Sequence, residues 1–351
     1  MKPFFIFLLV SNCLSLEAQQ KSRDTLTIIG VGDIMLGTSY PEGYLPPDDG
    51  RTLLTAVEKV LQSANITFGN HEGTLFDGEG KPKQCANPAL CYLFKSPEHY
   101  ANYLKRAGFD LMSVANNHSG DFGPEARERT MQVLQQAGIA SSGTTAKPFV
   151  VLEKGGVKYG LASFAPNNGT QSLNNHTEAK RIVRFLDSLC DVVIVSFHGG
   201  AEGATKQHVP RKKEIFVGED RGDVYKFSRA VIDAGADIVF GHGPHVTRAV
   251  DLYKDRFIIY SLGNFATYGR FNLKGPAGIA PIMKLYVDKE GKFLKGQIIA
   301  TKQIGEGVPV LDGSGEVIEK IRELTKIDFP ESKLVVEENG LVKKRTHKFP
   351  N

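Results

Sequence analysis

The chain has 351 residues, 41% hydrophobic and 23% charged, and its 43 basic side chains nearly balance 39 acidic ones to leave a net charge of +4. This is globular composition, which excludes a disordered, collagenous or coiled-coil chain, and so small a charge predicts no sequence-independent grip on nucleic acid. The length gives ample core for one large domain or two small ones.

The first element is apolar: Phe4 to Leu16 follows Lys2 and precedes Glu17-Ala18-Gln19-Gln20. At about 13 residues it is short for a membrane span, which takes roughly 20. It reads as a secretory signal peptide over residues 1–18. Cys13 keeps a second reading open, a lipoprotein acylated at that thiol. Either places the chain in the periplasm or outside the cell, and no later stretch reads as a transmembrane segment.

From Leu26 onward strands alternate with helices. A strand from Leu26 to Val31 ends at Gly32-Asp33, and a helix follows over Leu53 to Leu61. Ile66-Thr67-Phe68 then meets Gly69-Asn70-His71-Glu72. Ser96-Pro97 predicts a helix start, with Ser as N-cap and Pro in the first turn, ending at Ala107-Gly108. Asp110 to Val114 enters Ala115-Asn116-Asn117-His118, and Glu125 to Gln136 is the next helix. The helix Glu178 to Leu189 precedes the strand Val192 to Ser196, which enters Phe197-His198-Gly199-Gly200. The helix Val224 to Asp233 precedes Asp237 to Phe240, which enters Gly241-His242-Gly243-Pro244-His245. Phe257 to Tyr260 leads into Ser261-Leu262-Gly263-Asn264-Phe265. Beyond this the pattern turns antiparallel: Ile282 to Val287 and Phe293 to Lys302 flank a turn, then come a helix over Glu316 to Thr325 and a hairpin at Glu338-Asn339-Gly340.

Alternating strands and helices predict an α/β fold whose ligands gather at the carboxyl ends of strands. We expect a core over residues 25–303 and a helix-and-hairpin extension over 304–351, with a boundary near residue 270 as the alternative. Cys85 and Cys91, six residues apart, are expected to pair as a local disulfide in an oxidising compartment, since no second cysteine pair completes a thiolate metal site. Cys190 ends an apolar helix and is expected as a small buried side chain.

Of nine histidines, His71, His118, His198, His242 and His245 all fall in strand-end clusters, together with Asp33, Asn70, Glu72, Asn116, Asn117, Asp121 and Glu202. Carboxylate, imidazole and amide oxygen suit divalent Mn, Fe or Zn. A carboxylate shared by two ions about 3.5–4 Å apart would make a two-metal hydrolytic centre. Each residue alone has a plainer reading: Asp33 as a turn residue, Asn116-Asn117 as a turn, a strand-end His as a hydrogen-bonded filler. Their coincidence at six strand ends points to one shared site.

These motifs, in this order, resemble the CapA family of poly-γ-glutamate capsule synthesis proteins: Gly32-Asp33-Ile34-Met35, Gly69-Asn70-His71-Glu72-Gly73, Ala115-Asn116-Asn117-His118 with Asp121, His198-Gly199-Gly200 with Glu202, Gly241-His242-Gly243-Pro244-His245, and Ser261-Leu262-Gly263-Asn264-Phe265. The family is similar to the calcineurin-like metallophosphoesterases, which implies a four-layered αββα sandwich around a two-metal site. The resemblance implies metal ligands at Asp33, Asn70 or Glu72, Asn117, His198, His242 and His245, and a general acid at His118 oriented by Asp121. Met35 stands where those enzymes carry a His, two residues rather than one separate His242 from His245, and His71 replaces a commonly apolar residue. Asn116, Glu202, Arg211 and Asn264 are expected to touch substrate. Arg211 lies in a loop with Lys206, Lys212 and Lys213, which reads either as an anion contact or as a solvated turn.

Two functions lead, and the compartment alone adds a third, a cell-wall or phospholipid-head-group phosphatase. One is a secreted metal-dependent hydrolase of a phosphoester or γ-glutamyl polymer. The other is a non-catalytic part of a capsule synthase or export complex that holds the anionic polymer.

Overall fold

Period-two alternation in the strands sorts the apolar residues onto two faces, and three cores result. The computed structural model describes residues 25–85 and 91–345. The expected signal peptide and Cys13 lie outside the described residues.

The first run of the chain places strands Leu26–Met35 (β1), Ile66–His71 (β2), Leu111–Ser113 (β3) and Ala140–Ser142 (β4) between helices Thr55–Leu61 (α1), Tyr100–Ala107 (α2) and Gly123–Gln136 (α3). These four strands are parallel neighbours. A hairpin, Phe149–Lys154 (β5) and Val157–Phe164 (β6), opens a second sheet that continues with Val192–His198 (β7), Ile238–His242 (β8), Val250–Tyr253 (β9) and Arg256–Ile259 (β10). Helices His176–Asp187 (α4) and Val224–Ile232 (α5) cover it. The chain then returns to the first sheet through Asn264–Thr267 (β11), Ile279–Val287 (β12), Phe293–Ile304 (β13) and Val308–Leu311 (β14). After the helix Glu316–Asp328 (α6), Leu334–Val336 (β15) and Leu341–Lys344 (β16) complete its edge. The first sheet has ten strands in the order β15-β16-β13-β12-β1-β2-β3-β4, with β11 on β1 and β14 on β13. The second has six in the order β9-β10-β8-β7-β6-β5.

Ile28, Phe68, Ile194 and Phe240 face one another between the sheets. The alternate residues point outward: Ile29 and Val31 meet α1, α2 and α3, while Val193 and Val195 meet α4 and α5. The result is the expected α/β architecture of four layers, helix–sheet–sheet–helix. Gly30 is what lets the sheets approach, because a Cβ there would stand 2.5 Å from the Phe240 ring. Phe240 in turn stacks on Phe68 across the gap, with ring centroids 5.3 Å apart.

Several local expectations change. The strand from Leu26 runs on to Met35 rather than stopping at Val31. Ser96 is not the N-cap of α2: it sits in a two-residue strand and its hydroxyl donates to the Gly37 carbonyl, so the helix starts at Tyr100. The caps that do form are Asn175 on α4 and Asp223 on α5, each accepting from a backbone N–H three residues on. The β5–β6 hairpin turns at Gly155-Gly156, both at positive φ, a turn signal between two short apolar runs that sequence reading passed over. Cys85 and Cys91 are joined by a disulfide, with Cα atoms 5.7 Å apart.

At the opposite end of the sheet from the polar clusters, Asp237 accepts from the Val193 N–H at 2.7 Å and lies 3.2 Å from an Arg256 nitrogen. Burial pushes its carboxyl up to about 7. An acid with a raised folded-state pKa adds stability that is whole below about pH 4 and is lost as pH rises through 7. Thermal melts between pH 5 and 8 should therefore show wild type losing up to about 2.6 kcal/mol relative to Asp237→Asn. Parallel curves for the two proteins would refute the assignment.

Candidate metal centre at the strand ends

The inward row of each central strand is apolar in its middle and polar at its carboxyl end. In β7 it reads Ile194, Ser196, His198; in β8 it reads Ile238, Phe240, His242; in β2 it reads Ile66, Phe68, Asn70. The two-residue period that packs the core thus delivers these groups to one place. In β1 the inward row Ile28, Gly30 would carry Gly32 inward and Asp33 outward. A register irregularity between Gly30 and Asp33 shifts the phase by one, so that Asp33 pairs opposite Asn70 and Asn264. Gly32 permits the break, since a Cβ there would fall 2.0 Å from the Gly263 carbonyl oxygen.

Asp33 is the hub and is fully buried. One oxygen accepts from Asn70 Nδ2 at 2.9 Å and lies 3.2 Å from His242 Nδ1; the other lies 3.1 Å from His245 Nδ1. Asn264 Oδ1 is 3.0 Å from the same His245 nitrogen. His245 sits at φ 58, a left-handed conformation costly for a histidine. Glu72 follows β2, and its Oε1 lies 3.6 Å from His245 Nε2 and 3.9 Å from His118 Nε2. Ligand atoms of Asp33, Glu72 and His198 all lie within 4.8 Å of one another.

On the other flank His118 Nδ1 lies 2.8 Å from Asp121 Oδ2, which also accepts from the Phe94 N–H. Asn116 accepts from the His118 N–H and donates to the His71 carbonyl, tying this loop to β2. Glu202 lies 4.0 Å from His245 Nε2 and is held by Arg221 at 2.8 Å. A cleft of about 310 Å³ opens onto His118, Glu202, His245 and Asn264.

Burial and charge work against each other here. Burial raises the Asp33 carboxyl, but the hydrogen bonds from His242 and His245 outweigh it and hold it far below the usual range. Burial pushes Glu72 up to about 7, against the pull of His245. Burial alone would lower His245, yet Glu72, Asp33 and Glu202 push it up to about 10. His198 stays neutral, driven down by burial and by Arg221. His118 is raised, because Asp121 overcomes its burial. His71 is driven down to about 4 by burial.

Arg211 is not brought to the cluster. Its guanidinium pairs with Glu331 at 2.6 Å and the Asp328 carbonyl, and stacks over Phe329 and Tyr225 beside α6. Lys213 is likewise spent on Asp220. Met35 is buried and its sulfur accepts from the Gly37 N–H at 3.2 Å. Sequence reading missed Arg221, which has no local signal, and the aromatic wall of Phe94 and Phe271 against His118 and His245.

A divalent cation fits this donor set. Buried Glu72 Oε1 and Oε2, His198 Nδ1 and Nε2, His242 Nε2 and Asn117 Oδ1 have no hydrogen-bond partner among the described residues. Such atoms are costly unless something binds them. The donors are oxygen and imidazole nitrogen, without thiolate, which suits borderline divalent ions.

The family model for the bacterial capsule synthesis protein PGA_cap matches residues 27–268. The chain is similar to the capsule biosynthesis protein CapA of Bacillus anthracis, with 28% identity over 70% of this chain and 61% of that protein. It is also similar to the PGA biosynthesis protein CapA of Bacillus subtilis, with 25% identity over 74% of this chain and 68% of that one. Among solved structures, the calcineurin-like phosphoesterase YfkN of Bacillus subtilis aligns over 86% of this chain and 97% of its own, with 12% identity and a TM-score of 0.49.

Two measurements check the cation fit. Saturating Mn²⁺ should stabilise wild type by roughly 2.7 kcal/mol at a hundredfold excess over Kd, read as a higher melting temperature, and His198→Ala should lose most of that rise. Because imidazole must be neutral to ligate, calorimetry at pH 8 in buffers of different ionisation enthalpy should detect release of about one proton from His245. Equal melting shifts in the variant would place the ion elsewhere.

Proposed function

The chain belongs to the bacterial capsule synthesis protein family, and we propose that it is a metal-dependent hydrolase of capsule polymer metabolism, cleaving a phosphoester or a γ-glutamyl bond. The observation that carries this reading is that ligand atoms of Asp33, Glu72 and His198 lie within 4.8 Å of one another while buried donor atoms on Glu72, His198 and His242 have no partner among the described residues, beside a cleft that His118 enters with Asp121 behind it.

Asp33, Glu72, Asn117, His198, His242 and His245 would hold one or two divalent ions, Mn, Fe or Zn. Bound ions supply Lewis acidity and an activated water to such a site. Asn70 serves as a tether, since its amide donates to Asp33 and accepts from Asn116. Asp121 holds Nδ1 of His118, which leaves Nε2 as the edge turned to Glu72 and the cleft. Asp121 outweighs burial and favours a proton on the His118 ring, raising its pKa. It would give that proton to the leaving atom, and Asp121 would stabilise the ring throughout. Glu202 and Asn264 would orient the substrate from the cleft wall. On this reading the work would lie outside the cytoplasm, free or lipid-anchored through Cys13, beside a capsule synthase or export complex, which the family's link to capsule synthesis supports.

A second reading is a polymer-holding subunit without turnover. Met35 favours it, because a thioether stands where a phosphoesterase carries an imidazole and spends its sulfur on a backbone N–H.

Steady-state assays of the Mn²⁺-loaded protein on phosphoesters and γ-glutamyl peptides separate the two. Hydrolysis should occur, and His118→Ala should lower kcat about 10²–10⁴-fold while leaving the Mn²⁺ melting shift in place. Loaded protein inert across that panel, yet binding the polymer, would replace the first reading with the second.

A further inference from the structure

Arg270 follows β11 and lines the same cleft as His118, Glu202 and His245. Its guanidinium lies 4.9 Å from the Tyr44 ring centroid and 5.0 Å from that of Tyr92. Two neighbouring arginines carry carboxylate partners instead: Arg221 pairs with Glu202, and Arg248 makes two bonds to Glu214. Among the described residues no carboxylate pairs with Arg270 and its guanidinium makes no hydrogen bond. Ring contacts engage the faces of a guanidinium and leave its N–H edges free, the arrangement that receives a carboxylate by two parallel bonds.

The cleft that Arg270 shares with His118 and His245 also has Phe94 and Phe271 in its wall. Phe271 stacks on Phe94 at 5.1 Å and meets His245 edge-on at 5.4 Å, while Phe94 covers His118 at 4.3 Å. A ligand spanning this wall needs an anion at one end, a short apolar link over the rings and a reacting group at the other. A γ-linked glutamyl chain has that make-up, since each residue carries a free α-carboxylate and two methylenes.

We propose that Arg270 is the specificity-determining residue of the cleft, seating a pendant carboxylate of a polycarboxylate chain whose neighbouring residue lies at His118 and His245. The location of the reacting bond rests on the hydrolase reading; the carboxylate contact does not. Tyr44 and Tyr92 hold the guanidinium in place, and Phe94 and Phe271 carry the methylenes.

Calorimetry of the full chain with a γ-linked glutamate tetramer tests this, with Mn²⁺ and again in EDTA. Arg270→Gln should weaken binding roughly tenfold or more in both conditions, the effect of losing bonds to a charged group. Arg270→Lys, which keeps charge but not the fork, should fall between the two and guards against a folding artefact. Amidation of the tetramer's α-carboxyls should bring wild type down to the Arg270→Gln affinity. The proposal is overturned if Arg270→Gln binds within twofold of wild type, if wild type does not bind the tetramer, or if it binds a glycerol-phosphate oligomer more tightly. Arg270-dependent binding without turnover would refute only the hydrolase reading.

Discussion

The space between the two sheets is closed to water along most of its length, and the same rows of side chains that close it end in acids, amides and imidazoles. Everything functional depends on that continuity. A carboxylate such as Asp33, fully buried, is unfavourable unless it is surrounded by donors. Asn70, His242 and His245 supply them. The apolar packing of Phe68 on Phe240 fixes the distance between sheets, and so fixes how far Asp33 and Glu72 on one stand from His198 and His242 on the other.

Charge balance in this dry space is achieved in two ways. The protein on its own keeps a proton on His245, facing Glu72, Asp33 and Glu202. It also buries Arg221, 2% exposed, against Glu202. Two of the Arg221 nitrogens, Nε and one terminal nitrogen, have no partner among the described residues. Removing one member of such a buried pair costs more than the pair contributes, because the other charge is left alone. Glu202 is thereby held at the cleft wall rather than collapsed onto the metal ligands.

The outer end of the site follows different physics. There the rings of Tyr44, Tyr92, Phe94 and Phe271 form the surface, and the disulfide between Cys85 and Cys91 ends directly before Tyr92. Cys91 also packs against the small cluster of Phe76, Leu93, Phe122 and Ala126. The aromatic wall is therefore anchored from behind by covalent and apolar contacts. Its reach toward His118 and His245 is a property of loops, not of strands.

The strand-end residues were legible because a local rule places them: in parallel α/β sheets the polar cluster after each apolar run must lie at the same edge. That rule put Asp33, Asn70, Glu72, His118, His198, His242 and His245 at one edge from sequence alone, and the alternation of elements gave an α/β fold, while the four-layer order came from the family resemblance. It was blind to phase, so the register break that turns Asp33 inward came only from pairing with β2 and β11. It was blind to loop direction as well, which is why Arg211 was expected in the cleft and lies against α6, while Arg270 occupies the cleft unannounced. Composition and spacing determine which groups a strand must present at its end; which loop cation meets them is decided by long-range packing, where no period in the sequence records the direction of the chain.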